Sequence, residues 1–491
     1  MCVYRKNYQI TKLKNYQIKM SQPQHKIGAV TLIMITCALI MTLRNMPMMA
    51  ATGMQMIFFN FIAAFAFLVP VALVSAELAT GWPECGVYFW VKEAFGPRLG
   101  FLAVWLQWSQ SIFGMTSILS YVAASLAFII NPALASNKYF IFTIIIVVYW
   151  GATFANLHGT KISGLISSVC VSCGVFLPAL VLIVFGVVYW LGGNPIQLDT
   201  SLTFSNIIPS IHESRNLIML VGFIFGCVGI EVSAAHARDV RDTHKNYPIA
   251  IFSAAALVFI LTLLGGMTIA IVVPSKDISL ISGVMKAFEL LFAHYKLQKL
   301  LPLFALLVGL GAAGQVSTWI VGPIKGLLAT AKLGDLPPIF QKTNKKGIPQ
   351  NLLFSQAIMI SITGVLILVV PNVNIAFLML TSLAVMLYCI MYIIMFITAI
   401  RLRHTQPNVP RPYKVPGGII GMWLVSCIGM STILACFIIG FIPPANFQSR
   451  GMILFNEFFL IIGIIVMVSI PLLIYRFRQL SWKKSAKNAR Y

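Results

Sequence analysis

The architecture follows from two stretches, ALIMTLRNMPMMAATG at residues 38–53 and LIMLVGFIFGCVGIEVSAAHARD at residues 217–239. Each lies in an apolar segment long enough to cross a membrane as a helix, and each contains residues that interrupt a helix. Pro47 removes a backbone donor from the first stretch, and three glycines crowd the middle of the second. The sequence therefore predicts two membrane helices that are locally unwound, the first of them near residues 44–48.

The composition indicates that most of the surface faces lipid. The 491 residues are 59% hydrophobic and only 10% charged, with a mean hydropathy of +0.90. In soluble domains about a quarter of the residues are charged, because polar residues are needed to cover an exterior that faces water. This composition excludes an ordinary soluble protein and predicts one embedded in a lipid bilayer.

Twelve segments are apolar over the length of the hydrocarbon core, which takes about 20 helical residues to cross. They are too long for barrel strands, which would alternate in segments of about ten residues. The sequence therefore predicts an all-α integral membrane protein with twelve transmembrane helices, named spans 1 to 12 in chain order. Their predicted bounds are 28–50, 54–76, 99–130, 139–157, 163–191, 216–236, 248–273, 300–330, 352–370, 374–400, 418–442 and 452–475.

The basic residues predict the orientation. The formal net charge is +23, from 35 Lys and Arg against 12 Asp and Glu. With the N-terminus inside, most of the basic residues fall in cytoplasmic segments, as the positive-inside rule requires. We therefore expect an uncleaved basic cytoplasmic arm at 1–27 and a short basic cytoplasmic tail at 476–491. This distribution accounts for the charge without nucleic acid as a partner.

Two broken helices that are five spans apart indicate a five-plus-five inverted repeat. The predicted transport core is 28–400, with repeats at about 28–191 and 216–400, and the helices of spans 11 and 12 follow within 401–475. Broken helices of such a repeat meet at the bilayer midplane, where free amides suit a carboxylate and free carbonyl groups suit an ammonium group. An amino acid carries both groups on one carbon and is the expected substrate.

Two ionisable residues lie at the breaks, and such residues at membrane depth mark pathways or paired sites. Glu231 follows the glycines of span 6 and is the candidate for a group that takes up and releases a proton during transport. Two roles are open for Arg44 in span 1. It contacts substrate or gates access to it, or it binds the freed carbonyl groups of its own unwound turn.

The chain resembles the amino acid/polyamine/organocation transporter superfamily, and within it the bacterial glutamate/γ-aminobutyrate antiporter group. The resemblance extends from about Gly28 to span 12, and it implies a LeuT-like fold of twelve helices, alternating access, transport without ATP and location in the bacterial inner membrane. The motifs that carry it are RNMPMMAATG at 44–53, AELATGWPECGVYFWVKEAFGPRLGF at 76–101, GIEVSAAHARD at 229–239, STWIVGPIKGLLATA at 317–331 and LYCIMY at 387–392.

The resemblance also implies roles for single residues. Glu231 matches the acid of span 6 in that group, and Trp319 matches an aromatic residue of span 8 that lines the site. Tyr388 and Tyr392 match a tyrosine pair of span 10, and their i, i+4 spacing puts both phenols on one face of the helix, able to contact substrate.

Substrate is expected at the two breaks. Its carboxylate would contact backbone amides of the span 1 break and the Arg44 side chain, and its amino group would contact carbonyl groups of the span 6 break. Together with Trp319 and the two tyrosines, the expected binding residues are Arg44, Asn45, Met46, Met49, Phe225, Cys227, Val228 and Gln315.

Two departures from the family pattern bear on the substrate. Arg44, Asn45 and Met46 stand where the superfamily commonly has Gly-Ser-Gly, and Gln315 stands where the resembling antiporters have an acid in span 8. Both changes make the cavity more positive. The sequence therefore favours a neutral or acidic amino acid over a polyamine or arginine.

A third departure bears on coupling. Some relatives have a lysine in span 5 in place of a sodium ion, whereas this chain has Ser167 and Ser168 in that region and Ser317 and Thr318 in span 8. Proton-linked antiport is the leading hypothesis, and sodium-coupled symport is the alternative. We also do not expect the short C-terminal tail to plug the inner mouth, as the tail of the antiporter group does.

The sequence predicts no cofactor and no metal. Cys170 and Cys173 form a CxxC in span 5 without a second pair or a nearby histidine, so they are interpreted as packing residues. The spans contain no paired aspartates, HExxH or facing Ser and His, so an enzyme is not expected. A non-transporting membrane sensor stays open as a function, and both a monomer and a homodimer are compatible with the sequence.

Overall fold

Membrane-length helices make up most of the structure, a computed structural model that describes residues 27–83, 86–158, 169–201, 203–209, 218–443, 449–479 and 481–483. Within these ranges every regular element is a helix, and eleven helices are long and apolar enough to cross a membrane. These are Ala29–Ala50, Gln55–Gly81, Pro97–Ile130, Lys138–Leu157, Val169–Leu191, Thr243–Val272, Gln298–Lys332, Gln350–Val369, Val373–Thr405, Gly418–Ile439 and Arg450–Arg476.

Span 6 differs from the others because it is short and broken. An α-helix, Met219–Phe225, is followed after a turn by a 3-10 helix, Ile230–Asp239. The prediction of an all-helical membrane protein is confirmed, whereas the count of twelve crossing helices, the inverted repeat and the domain bounds stay predictions. The predicted N-terminal arm up to residue 26, the start of span 5 and most of the C-terminal tail lie outside the described residues.

Spans 3 and 10 form the centre of the helix bundle. Buried residues make up 83% of the most apolar window of span 3 and 78% of that of span 10, against 28% and 17% in spans 11 and 12. Span 3 packs along spans 8 and 10. Large apolar side chains such as Trp190, Leu424 and Phe458 point outward, as expected of a surface that lipid covers.

One face of the bundle is held together by contacts between segments distant in sequence, and we call it the Ile27 face. The Arg241 amide donates to the Ile27 carbonyl at 2.9 Å. Asp335, after span 8, accepts from the Tyr88 hydroxyl at 3.1 Å and from the Arg478 guanidinium at 2.7 Å. These bonds join the start of span 1 to the end of span 6, and the helix Gly86–Phe95, which precedes span 3, to the ends of spans 8 and 12. It is the face predicted to be cytoplasmic.

A buried ion cluster lies on the same face around Glu77, at the end of span 2. Its carboxylate accepts from Nε and Nη2 of Arg403 at 2.6 Å each, and from the Val415 amide at 2.8 Å. Arg411 Nε lies 3.6 Å from the same carboxylate, and both side chains are only 2% exposed. The cluster joins span 2 to the end of span 10 and to the loop that follows it.

A further helix, Gly283–His294, lies on the opposite face between spans 7 and 8. Within residues 280–297, apolar residues recur at helical spacing among charged ones, which accounts for this helix. It also contacts the break of span 1, because Gly283 lies so close to Pro47 that a Cβ there would be 2.7 Å from the Pro47 Cβ.

Candidate functional site

The break in span 1 begins before Arg44. In chain order it consists of the helix Ala29–Ile40, the extended residues Met41 and Thr42, the 3-10 turn Leu43–Asn45 and the helix Met46–Ala50. The prediction of an unwound segment near residues 44–48 is therefore wrong by a few residues. Pro47 lies in the first turn of the second helix. Backbone N–H groups in a first turn have no acceptor within the helix, so a proline there costs no hydrogen bond and is compatible with the start of a helix.

The break in span 6 is a turn at residues 226–229, as its glycines predict. Gly229 has a φ of 101°, in the left-handed region that favours glycine. A Cβ on Gly229 would lie 2.4 Å from the ring of Trp319, and a Cβ on Gly226 would lie 2.6 Å from Nδ2 of Asn45. The two glycines let spans 8 and 1 approach the backbone of this break.

Side chains of span 8 satisfy the carbonyl groups that the break in span 1 leaves free. Trp319 Nε1 donates to the Leu39 carbonyl at 2.8 Å. The Gln315 amide donates to the Met41 carbonyl and, at 3.4 Å, to the Ala38 carbonyl. Because its ring lies on Gly229, Trp319 contacts both broken helices.

Trp319→Phe is expected to lower the free energy of unfolding by about 1 kcal/mol, because phenylalanine keeps a ring on Gly229 but leaves the Leu39 carbonyl without its donor. The measurement is the thermal midpoint of the detergent-purified protein. The matched control is Trp423→Phe, since Trp423 is 46% exposed and its Nε1 bonds to His404 at the surface. Equal midpoints for the two variants would contradict this role of Trp319.

Arg44 is buried between spans 1, 3, 6 and 10. Its Nη1 donates to Ser117 Oγ at 3.0 Å, and its guanidinium lies 4.3 Å from the centroid of the Phe225 ring and 5.7 Å from that of Phe377. Its Nε has no hydrogen-bond partner among the described residues. A neutral hydroxyl and two rings hold the cation in place and leave donor capacity for a ligand.

A cavity with about 450 Å³ of space free of protein atoms lies between the two breaks. It brings together five of the predicted residues: Arg44, Phe225, Val228, Gln315 and Trp319. Span 3 supplies lining that the sequence analysis missed, including Gln110 and Ser111. The signal was present in LQWSQS at 106–111, where polar residues cluster within a membrane helix.

Four other predicted residues lie outside the lining of this cavity. Met46 and Met49 pack against Gly265 and Gly266 of span 7. Asn45 faces the Gly226 backbone, and its Nδ2 has no partner among the described residues. Cys227 is buried with a free thiol. Their roles in binding stay predictions.

Glu231 forms a second cluster with the tyrosine pair. Its Oε1 accepts from Tyr388 at 2.5 Å and from Gln107 Nε2 at 3.0 Å, and its Oε2 accepts from Tyr392 at 2.6 Å. Tyr392 also accepts from the Gly229 amide at 3.0 Å. The tyrosines therefore share one face of span 10, as predicted, but in this structure their hydroxyl groups bind Glu231. Gln107, which donates to the same carboxylate, was missed.

Two of the four residues considered for sodium binding lie in the described part of the chain. Ser167 and Ser168 lie outside the described residues. In span 8, Ser317 accepts from Asn156 Nδ2 at 3.2 Å, and Thr318 donates to the Gly314 carbonyl at 3.2 Å. The described part of the chain contains no group of three His, Cys, Asp or Glu side chains that could hold a metal ion.

Comparisons with known proteins agree with this architecture. A family model described as amino acid permease matches residues 27–469. An uncharacterized transporter of Legionella pneumophila is 36% identical over 453 residues, which cover 92% of this chain and 97% of that protein. The glutamate/gamma-aminobutyrate antiporter of Lactococcus lactis is 31% identical over 458 residues, 92% of this chain and 90% of that protein. The probable agmatine/putrescine antiporter of Lactococcus lactis is 26% identical over 379 residues, 76% of this chain and 79% of that protein. The chain belongs to the amino acid permease family.

Proposed function

We propose that this protein is a secondary active antiporter that exchanges neutral or acidic amino acids across the bacterial inner membrane by alternating access, with a link to protons. Membership of the permease family and the similarity to antiporters support transport of amino acids or amines by exchange. The cavity between the two broken helices is the proposed substrate site. The excess of basic residues on the Ile27 face supports cytoplasmic termini.

The choice of substrate rests on one observation. Among the described residues that line the cavity, Arg44 is the single charged side chain, and its Nε is unpaired. A cationic amine would meet a positive charge there without a compensating carboxylate, whereas a carboxylate could accept from the guanidinium. We therefore favour acidic and neutral amino acids over agmatine, putrescine and arginine.

The proposed pose follows from which backbone groups are already occupied. The carbonyl groups of Ala38, Leu39 and Met41 each accept a hydrogen bond from Gln315 or Trp319, which leaves them less available to a substrate ammonium group. The amino group would therefore contact carbonyl groups near Phe225 to Val228. The α-carboxylate would contact amides near Asn45 to Met49, which adjoin Arg44 but do not line the cavity in this conformation. Arg44 would then bind a carboxylate on the substrate side chain.

Exchange in proteoliposomes tests this function. Vesicles loaded with unlabelled glutamate or glutamine should accumulate the same labelled amino acid, and empty vesicles should accumulate far less. Labelled arginine and putrescine should not exchange, and replacing sodium by potassium should leave the rates unchanged. Binding without accumulation would indicate a sensor, sodium dependence would indicate a symporter, and exchange of the cations alone would overturn the proposed substrate class.

Glu231→Gln is expected to flatten the pH dependence of exchange, because glutamine keeps the shape of the side chain but cannot take up a proton. The measurement is the initial rate of glutamine counterflow against pH in proteoliposomes. The matched control is Glu457→Gln in span 12, which should keep the wild-type profile. An unchanged profile and rate in Glu231→Gln would remove Glu231 from proton coupling.

A further inference from the structure

A second cavity lies between the substrate site and the Ile27 face. It contains about 350 Å³ of space free of protein atoms, and Gln107, Glu231 and Lys325 are its polar lining. It shares no lining residue with the first cavity. Along span 6, Val228 lines the first cavity and Glu231 lines the second. Gly229 lies between them, and the Trp319 ring packs against it. Trp319 therefore lies at the boundary of the two cavities.

The second cavity holds one acidic and one basic side chain, and they differ in how they are bound. The Glu231 carboxylate accepts hydrogen bonds from three neutral side chains, Gln107, Tyr388 and Tyr392. The half-buried Lys325 ammonium group has no ion pair within 4.0 Å and no hydrogen-bond partner among the described residues. Its donors are therefore available to a ligand in the cavity.

The other titratable groups around this pair come from three elements. His236, on the same 3-10 helix as Glu231, interacts electrostatically with Lys325. Tyr388 and Tyr392 donate to Glu231 from span 10. The Tyr247 hydroxyl of span 7 lies 3.2 Å from Ser233 Oγ, two residues after Glu231 on the same 3-10 helix. Among the described residues that line the cavity, Lys325 is the single cation.

We propose that the second cavity is a transient binding site on the cytoplasmic side for the carboxylate of an acidic amino acid, with Lys325 as the binding group and Glu231 as the group that controls it. This inference rests on the proposed function. When Glu231 is ionised, the two side chains sum to zero charge, and the carboxylate repels an anionic substrate. When Glu231 takes up a proton, its negative charge is lost. The net charge of the cavity is then about +1, from Lys325.

The proton on Glu231 can be accommodated without moving a helix. The protonated carboxyl group must donate one hydrogen bond, and a tyrosine hydroxyl can turn from donor to acceptor. The proton is taken up from the cytoplasmic side of the second cavity. The uptake of one proton therefore removes one negative charge from the cavity, so that the cavity can bind one carboxylate. This links proton uptake to the entry or release of an acidic substrate.

A double-mutant cycle in proteoliposomes tests this site. Glu231→Gln imitates the protonated state, and Lys325→Gln removes the charge. In the Glu231→Gln background, Lys325→Gln should raise the KM for glutamate by about tenfold or more and that for glutamine by less than about threefold. With Glu231 present and ionised, the same change should have a smaller effect on glutamate. Lys325→Arg should restore the glutamate KM.

The matched control is Lys332→Gln, which removes an exposed positive charge near the end of the same span and should leave both KM values unchanged. If Lys325→Gln does not assemble, Lys325→Met, which keeps the aliphatic stem, replaces it. Equal changes for glutamate and glutamine, or the same effect in both backgrounds, would overturn the anion site. Failure of the wild-type protein to exchange either amino acid would instead overturn the proposed function.

Discussion

Glu77→Ala is expected to destabilise the folded protein by about 3–5 kcal/mol, the loss that follows when one partner of a buried ion cluster is removed. The Arg403 and Arg411 side chains, which are 10% and 2% exposed, would remain without a counter-charge. The Val415 amide would also lose its acceptor. We expect the variant to be recovered in low yield and to aggregate when extracted in detergent.

The chain offers a matched control in Glu289→Ala. Glu289 also pairs with a basic residue, Lys286 at 2.8 Å, but the two side chains are 34% and 39% exposed. Exposed pairs contribute about 0–1 kcal/mol, so this variant should be close to wild type. The measurement is the fraction of monodisperse protein after heating, compared across the three proteins. Similar losses in both variants would show that the Glu77 cluster contributes no more than a surface pair.

The same cluster shows why part of the structure could not be predicted from one sequence. Glu77 lies in one of the motifs that carry the family resemblance, but its partner Arg403 is 326 residues away in the chain. A single sequence contains the types of both residues and no information on their distance. The spans themselves could be predicted, because lipid requires about 20 apolar residues in a helix regardless of what packs beside them.

For the candidate site, the sequence predicted which helix and which helix face carries a residue better than it predicted the contacts of that residue. The sequence placed Tyr388 and Tyr392 on one face of span 10, and the structure confirms that they lie side by side, with ring centroids 4.7 Å apart. Which partner this face meets depends on the rotation of span 10 about its axis. That rotation is set by packing against spans 3 and 6, so the bonds to Glu231 could not be predicted from spacing alone.

The exact position of the break in span 1 also could not be predicted from the sequence alone. Proline was expected to unwind span 1 around itself, yet its effect depends on where the second half-helix begins. Because Pro47 occupies the first turn, the extended residues lie ahead of Arg44. Gln315 then reaches the carbonyl groups that this placement frees, which gives the span 8 glutamine a role in closing the break.

Arg44→Ala is expected to raise the KM for glutamate by about 10- to 100-fold, the range that corresponds to about 1.5–3 kcal/mol for hydrogen bonds to a charged group. The KM for glutamine should change by less than about threefold, because a neutral side chain gains less from the guanidinium. The measurement is counterflow of both amino acids in proteoliposomes. Arg44→Lys should fall between wild type and alanine for glutamate, since lysine keeps the charge but loses the planar, bidentate geometry.

Two outcomes separate a binding role for Arg44 from a structural one. In the structure Nη1 of Arg44 binds Ser117, which in turn bonds to Thr381 at 2.9 Å, so Arg44 also links spans 1, 3 and 10. Ser117→Ala removes that anchor and leaves the guanidinium in place, and it should affect glutamate and glutamine alike and by only a few-fold. If Arg44→Ala lowers exchange of both amino acids equally and also lowers the thermal midpoint, Arg44 is a structural link between these spans and the preference for acidic substrates must come from another group.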